Sequence, residues 1–236
     1  IWSGAFYDCK FLESVIIPDS VTYIGYYAFF HCVSLKSLDL PDSVTSIGAW
    51  AFSQCISLSC VVLPDNITRI EEDVFDCCKS LNDIVLPDSV TRIGNAAFKD
   101  CSSLSNIVIP NGVTRIGTWA FSGCSSLSNI NLPDSVSSIG DAAFVGCSSL
   151  KSFVIPNGVT RIGTWTFLYC SSLSNIVIPD SVTRIGSIAF QFCYSLTTIA
   201  IPDSVTRIGG RAFHDCNFPD DLKQELISRF GEKIFD

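Results

Sequence analysis

The chain has 236 residues, 15 Lys+Arg against 23 Asp+Glu, and hence a formal net charge of −8, a balance that argues against a basic nucleic-acid binder. Apolar residues make up 47% of it and charged residues 16%, too greasy and too weakly charged for intrinsic disorder. No apolar run approaches the roughly 18 residues that a membrane span needs, and no signal peptide or basic N-terminal arm is read in this segment.

The chain starts inside a pattern at Ile1 and reads as an excerpt of a longer protein. Prolines recur at Pro18, Pro41, Pro64, Pro87, Pro110, Pro133, Pro156, Pro179 and Pro202, always 23 residues apart. A phenylalanine ladder (Phe6, Phe29, Phe52 and onward to Phe213) and a leucine ladder (Leu12 to Leu196) keep the same period. A fixed period of this size signals a solenoid, in which stacked units share one core that no unit buries alone. Within a unit, Ile107-Val108-Ile109 is β-branched and ended by Pro110, which predicts a short strand. Alternation puts Leu104, Ile107 and Ile109 in the core and turns Asn106 and Val108 outward. Asp-Ser or Asn-Gly after each proline is turn chemistry, with Gly112 and Gly158 easing a positive φ if the turn requires one. Ile116, Ala120, Phe121 and Cys124 then fall on one face of a short helix or helical turn.

The fourth unit departs most. It carries Glu71 where the others have Gly and Val74 where most have Ala, which predicts a local change of helix start. At the C-terminus Pro219 replaces the ladder leucine, and Asp220 to Gly231 reads as an acid-led helix closed by Gly, with Leu222, Leu226, Ile227 and Phe230 on one side. The expected organisation is a solenoid over 1–218 and a capping helix and tail over 219–236, since terminal caps are required in such folds.

Nine prolines, ten phenylalanines and ten cysteines hold one register, and the unit, written from Leu173 to Ser195 as L-x-x-I-x-[IL]-P-[DN]-[SG]-V-T-x-I-G-x-x-A-F-x-x-C-x-S, resembles the BspA-like, or Treponema-type, leucine-rich repeat over Ile1 to about Cys216. The resemblance implies an α/β repeat fold: a right-handed solenoid with a parallel strand sheet on the concave side and short helices or helical turns on the convex side. It also implies a cell-surface or secreted setting, with further repeats or domains in the same parent chain, and attachment to protein or glycan ligands outside the cell.

Ten of the twelve cysteines, Cys9 to Cys216 at the common period, lie on the inward stripe and read as small hydrophobic core residues. Parallel Cβ vectors in a stacked column suit a disulfide poorly. Cys60 sits at an outward strand position and is the better candidate for a reactive thiol, while Cys77-Cys78 is a lone vicinal pair without zinc-site spacing. Arg69, Arg92, Arg115, Arg161, Arg184 and Arg207 form an outer ladder interrupted by Ser138. Asp65, Asp88, Asp180 and Asp203 precede four of them by four residues, which predicts a solvated edge of paired charges worth about 0 to 1 kcal/mol each. The alternative is an edge for sulfated or acidic polymers.

Catalytic chemistry is missing from the pattern. His31 and His214 are nearly eight repeats apart, about 38 Å at roughly 4.8 Å per stacked strand, so they cannot share an active site. No Walker loop, dinucleotide fingerprint or H-E-x-x-H motif occurs, and no metal or cofactor is expected. Two surfaces remain. The outward strand positions Asp83, Val85, Asn106, Val108, Asn129, Asn131, Ser152, Val154, Asn175 and Val177 make a small, nearly uncharged face, which either expresses β-propensity alone or is a binding surface. On the opposite flank Tyr27, Trp50, Trp119 and Trp165, the last two expected about 10 Å apart, either pack between turns or stack on sugars and anchor partners. These features point to a non-catalytic binding or adhesion module, with carbohydrate recognition, or a structural spacer or filament-forming array, as the other readings.

Overall fold

Polar and β-branched residues alternate ahead of each proline, and in the computed structural model, which describes residues 1–236, they form one row of short parallel strands. Its members are Ser37–Asp39, Cys60–Val62 and Asp83–Val85, then Ser152–Val154 and Asn175–Val177, each with the middle residue buried and the outer two exposed. Pairing is parallel with every partner 23 residues away, as in Ser37↔Cys60↔Asp83 and Ser152↔Asn175. Between these groups the ladder thins to a single bridge, Asn106↔Asn129. The stretch Ile107–Ile109 is therefore extended with the expected alternation of buried and exposed side chains, but it is not a paired strand.

A second row of strands was not legible as such. The V-T-R-I segment of each unit contributes a two-residue strand, including Arg69–Ile70, Arg92–Ile93, Arg115–Ile116, Ser138–Ile139, Arg161–Ile162, Arg184–Ile185 and Arg207–Ile208. Isoleucine faces the core and the residue before it faces solvent. The glycine that follows sets the spacing. Its N–H donates to the isoleucine carbonyl of the preceding unit, as in Gly94 to Ile70 at 2.7 Å and Gly117 to Ile93 at 2.9 Å. A Cβ at Gly117 would stand 2.4 Å from the Gly94 carbonyl carbon, so only glycine admits this approach. Glu71 departs from the glycine, and the row is interrupted there: Tyr23–Ile24 pairs with Ser46–Ile47, and a new ladder starts at Arg69; it is interrupted again between Ile139 and Arg161, where the glycine, Gly163, is kept.

The third side of each unit is not helical. Two left-handed residues per unit, four apart, turn the chain before a helix propagates: Tyr27 and His31, Trp50 and Gln54, Ala96 and Asp100, Trp119 and Gly123. Every second N–H instead bonds across units, as in Phe98 to the Ala120 carbonyl at 2.8 Å and Phe121 to Ala143 at 2.8 Å, while those between close three-residue turns, as in Ser122 to Trp119 at 3.0 Å. The expected helix shift at Glu71 is accordingly absent; the irregularity there is the broken strand ladder. Gly112 and Gly158 do not have positive φ. They occupy the place where other units carry a serine whose hydroxyl donates to the carbonyl of the preceding unit, such as Ser89 to Ile67 at 2.6 Å and Ser135 to Val113 at 2.7 Å.

Inside, one apolar cluster of 70 buried residues runs the length of the solenoid. Its spine is the phenylalanine ladder, with neighbouring rings stacked at centroid separations such as 5.4 Å for Phe98–Phe121 and 5.6 Å for Phe121–Phe144. Such pairs add about 0.5 to 1.5 kcal/mol each beyond area burial. The ladder cysteines are free thiols, and each buried one donates to the phenylalanine carbonyl of the preceding unit, as Cys124 does to Phe98 at 3.1 Å. They are thus small core residues that also satisfy a buried acceptor.

The C-terminal helix spans Asp220–Phe230, with Gly231 at φ 83° ending it. Leu226 is buried and Leu222, Ile227 and Phe230 are half-buried. The chain behind it closes the last turn, since Arg211 and Phe213 donate to the Lys233 and Ile234 carbonyls at 2.7 and 2.9 Å. Phe213 meets Phe218 and Phe235 at 5.5 and 6.1 Å, which covers the end of the aromatic stack.

Candidate binding surfaces

Three surfaces follow from the three sides of the unit. On the first, the strand row holds its outward side chains in register: Val62↔Val85 and Val154↔Val177 are direct cross-strand partners, as are Cys60↔Asp83 and Ser152↔Asn175. The valines are open to solvent, with Val85 75% and Val108 73% exposed. Asn106, Asn129, Asn131, Ser152 and Asn175 are exposed beside them. Where the ladder thins, a groove of about 220 Å³ lies between the two units, lined by Asn106, Val108, Asn129 and Asn131. A second groove of about 200 Å³ runs along Cys60, Val62, Asp83 and Val85. All ten strand-face candidates therefore share one surface, and Cys60 is the exposed thiol on it.

The turn flank carries the aromatics, and it brings them closer than unit spacing alone allows. Trp119 and Trp165 have ring centroids 6.2 Å apart, not about 10 Å, because the intervening unit has Ala142 at this position. With no side chain of size between them, the two indoles lean together. Tyr27 and Trp50 stack at 5.2 Å. These two pairs occupy separate stretches of the solenoid. Tyr27 and Trp165 are exposed, whereas Trp50 and Trp119 are half-buried.

The arginine row lies on the second strand ladder, where Arg69↔Arg92↔Arg115 and Arg161↔Arg184↔Arg207 are direct cross-strand neighbours. The expected pairing with the aspartate four residues earlier does not occur. Asp203 faces Arg229 of the C-terminal helix at 3.6 Å, and the one carboxylate that reaches a ladder arginine is Asp141, 3.3 Å from Arg161. The preceding aspartate sits in the turn after proline, and the alternation that points arginine outward does not aim the two side chains together.

Reactive side chains also cluster away from these three surfaces. Cys77 Sγ lies 3.6 Å from Asp76 Oδ1 and 3.9 Å from Asp100 Oδ2, but the Lys99 ammonium stands 3.8 and 3.9 Å from the same two carboxylates. Burial and the Asp76 and Asp100 charges push this thiol up to about 11, the opposite of an activated nucleophile. An open cleft of about 500 Å³ lies under the C-terminal helix and includes His214 and Cys216. They form no dyad: Cys216 donates to the Phe190 carbonyl at 3.2 Å, its thiol pushed up to about 12 by burial, and His214 Nδ1 bonds the Phe235 carbonyl at 2.7 Å. His31 is tied to Asp8 at 2.6 Å. No helix is long and apolar enough to cross a membrane.

A parallel-strand solenoid with a leucine-proline-phenylalanine-cysteine ladder and three periodic surfaces defines a leucine-rich repeat protein. The family described as the BspA type leucine rich repeat region matches in six copies over residues 1–106 and 91–219, and the chain belongs to it. Among solved structures, a leucine-rich repeat protein from Bacteroides ovatus is 35% identical over 83% of this chain and 51% of its own, with a TM-score of 0.78. A leucine rich cell surface protein from Faecalibacterium prausnitzii is 29% identical over 98% of this chain and 86% of its own, with a TM-score of 0.51. The leucine-rich repeat protein of T. pallidum is 29% identical over 88% and 76%, with a TM-score of 0.50. The chain spans about half the length of the Bacteroides protein. No functionally curated protein matches it.

Proposed function

We propose that this repeat array is a non-catalytic binding module of a surface or secreted protein, and that it recognises a protein ligand outside the cell through its strand face. The observation that carries this reading is the row of open valines held in cross-strand register beside a row of Asn, Ser and Asp. Apolar atoms at a fixed spacing supply burial on contact, and the adjacent polar row supplies hydrogen-bond direction, the composition of a typical interface centre and rim. The Faecalibacterium relative is a cell surface protein, which supports the setting. The tilted Trp119–Trp165 pair favours a second reading, in which the turn flank stacks on sugar rings.

The test is a pull-down against extracellular-matrix proteins alongside a glycan array. A Val108→Glu, Val154→Glu variant retains its fold, because both side chains point to solvent, and loses the protein ligand. A Trp119→Ala, Trp165→Ala variant retains it. If the valine variant binds normally while the tryptophan variant folds and does not bind, the strand-face assignment is wrong and the turn flank is the site.

A further inference from the structure

Asp141 shows what the arginine row does with an acid. Its Oδ1 accepts a hydrogen bond from Arg161 Nη2 at 3.3 Å and another from the Thr164 backbone N–H at 3.1 Å. Arg161 lies 20 positions beyond it and Thr164 one full unit beyond it, so the repeat builds the same seat again at each step. One unit later the arginine is Arg184 and the N–H is that of Ser187, but the residue in the place of Asp141 is Thr164. One further on they are Arg207 and Gly210, with Ser187 in the acid's place. The Ser187 and Gly210 N–H groups donate no hydrogen bond within the protein. A Cβ at Gly209 would fall 2.3 Å from the Ser187 nitrogen, so glycine is what leaves that N–H uncovered.

The surroundings have one sign. Arg161, Arg184 and Arg207 are cross-strand partners, all exposed. Like charges placed directly opposite one another are destabilising, and neither Arg184 nor Arg207 has a carboxylate partner. A groove of about 210 Å³ runs along these arginines with Thr164 and Ser187 beside them, and no acidic residue lines it.

We propose that Arg184 with the Ser187 N–H, and Arg207 with the Gly210 N–H, are anion seats that bind successive acidic groups of one linear sulfated or carboxylated polysaccharide. Guanidinium and backbone N–H together recognise an oxyanion by charge-assisted hydrogen bonds, and Asp141 occupies the equivalent seat within the protein. The seats repeat at the strand spacing of about 4.8 Å, an interval suited to a chain with one charge per sugar residue. A single-stranded nucleic acid is the poorer fit, because its binding relies on aromatic stacking platforms and no aromatic residue lines this groove.

The experiment measures binding of heparin oligosaccharides to the full chain at low and high salt, with polygalacturonate, oligo-dT and polyglutamate of matched charge as comparators. The wild type binds heparin in a salt-dependent manner and prefers both acidic glycans to the other polyanions. Thr164→Asp with Ser187→Asp places the protein's own carboxylates in both seats and lowers affinity by at least about 10-fold while thermal stability is kept. Arg184→Ser with Arg207→Ser does the same by a different route, and Ser46 and Ser138 already show that serine fits this strand position. The proposal is overturned if the wild type does not bind heparin at low salt, if either double variant folds and binds as tightly as the wild type, or if oligo-dT or polyglutamate outcompetes the glycans.

Discussion

Replacing Gly117 by alanine isolates the contact that sets the pitch of the second strand row. The added Cβ would stand 2.4 Å from both the carbonyl carbon and the carbonyl oxygen of Gly94, against about 3.5 Å or more for unstrained carbon contacts. The obstacle is backbone, so relief requires the two units to part by roughly 1 Å at this point. The Gly117 N–H to Ile93 carbonyl bond, 2.9 Å long, is then lost at about 1 kcal/mol, and overpacking adds about 1 to 3 kcal/mol. Removing glycine's backbone entropy returns about 0.5 to 1 kcal/mol, for a net cost near 2 kcal/mol. Two other glycines serve as comparators. Gly146 has φ 69° and no atom closer than 3.9 Å to its would-be Cβ, so alanine there meets only the backbone penalty and costs about 1 kcal/mol. Gly112→Ser is stabilising by about 1 kcal/mol, because it restores the hydroxyl bond to the Val90 carbonyl that serine makes in other units. Guanidinium denaturation ranks the three, and hydrogen exchange locates the loss for Gly117→Ala at the interface between the Arg92 and Arg115 strands. A Gly117→Ala protein as stable as the wild type would refute the close-approach argument.

Further outcomes are expected elsewhere. Burial, followed by the Asp76 and Glu72 charges, raises Asp73 to about 6; the folded state then holds a proton that the unfolded chain releases near pH 4, and stability falls as pH rises from about 4 to 6. Asp73→Asn removes that slope, giving a higher melting temperature than wild type at pH 7 and none at pH 4. Phe121→Ala, which opens the middle of the aromatic stack, costs about 3 to 5 kcal/mol, whereas Phe6→Ala costs less because Phe6 stacks on one neighbour only and is partly exposed; equal losses in denaturation would contradict the stacking account. In thiol labelling of the native protein Cys60 reacts first, and the nine buried ladder thiols react only as the chain unfolds, since burial raises thiols such as Cys101 and Cys124 well above their ordinary range; rapid labelling of Cys124 in the native state would show the core to be open.

What could be read from the sequence was set by what recurs without interruption. Inward positions such as Phe121, Leu127 and Cys124 identify themselves by period and polarity, and so does the outward direction of Val108. The second strand row stayed hidden because a two-residue strand such as Arg115–Ile116 carries too little alternation to be seen. The turn flank misled for a related reason: Ile116, Ala120, Phe121 and Cys124 have helical spacing, but the left-handed residue at Trp119 is not one whose type announces a positive φ, as Gly123 does. Partners were the least legible. An arginine four residues after an aspartate looks paired on paper, yet Arg184 and Arg207 make no such pair, and Arg161, which has Asn157 at that place, reaches Asp141, a residue of the preceding unit.

That last point bears on how a uniform scaffold acquires particular sites. With no insertion in any unit, each surface position becomes a row, and a side chain meets its counterparts one unit away more readily than its own sequence neighbours. Function is then written by exceptions in a row. Ala142 between two tryptophans lets the indoles converge, and the thinning of the strand ladder at Asn106 and Asn129 coincides with a groove. Aspartate at 141, followed by Thr164 and Ser187 in the same place, divides the stretch from Arg161 to Arg207 into a seat filled from within and two whose N–H donors make no internal hydrogen bond. Substituting a row member by the residue found one unit away therefore changes a site while leaving the stack intact, which is why Thr164→Asp separates recognition from folding more cleanly than truncation does.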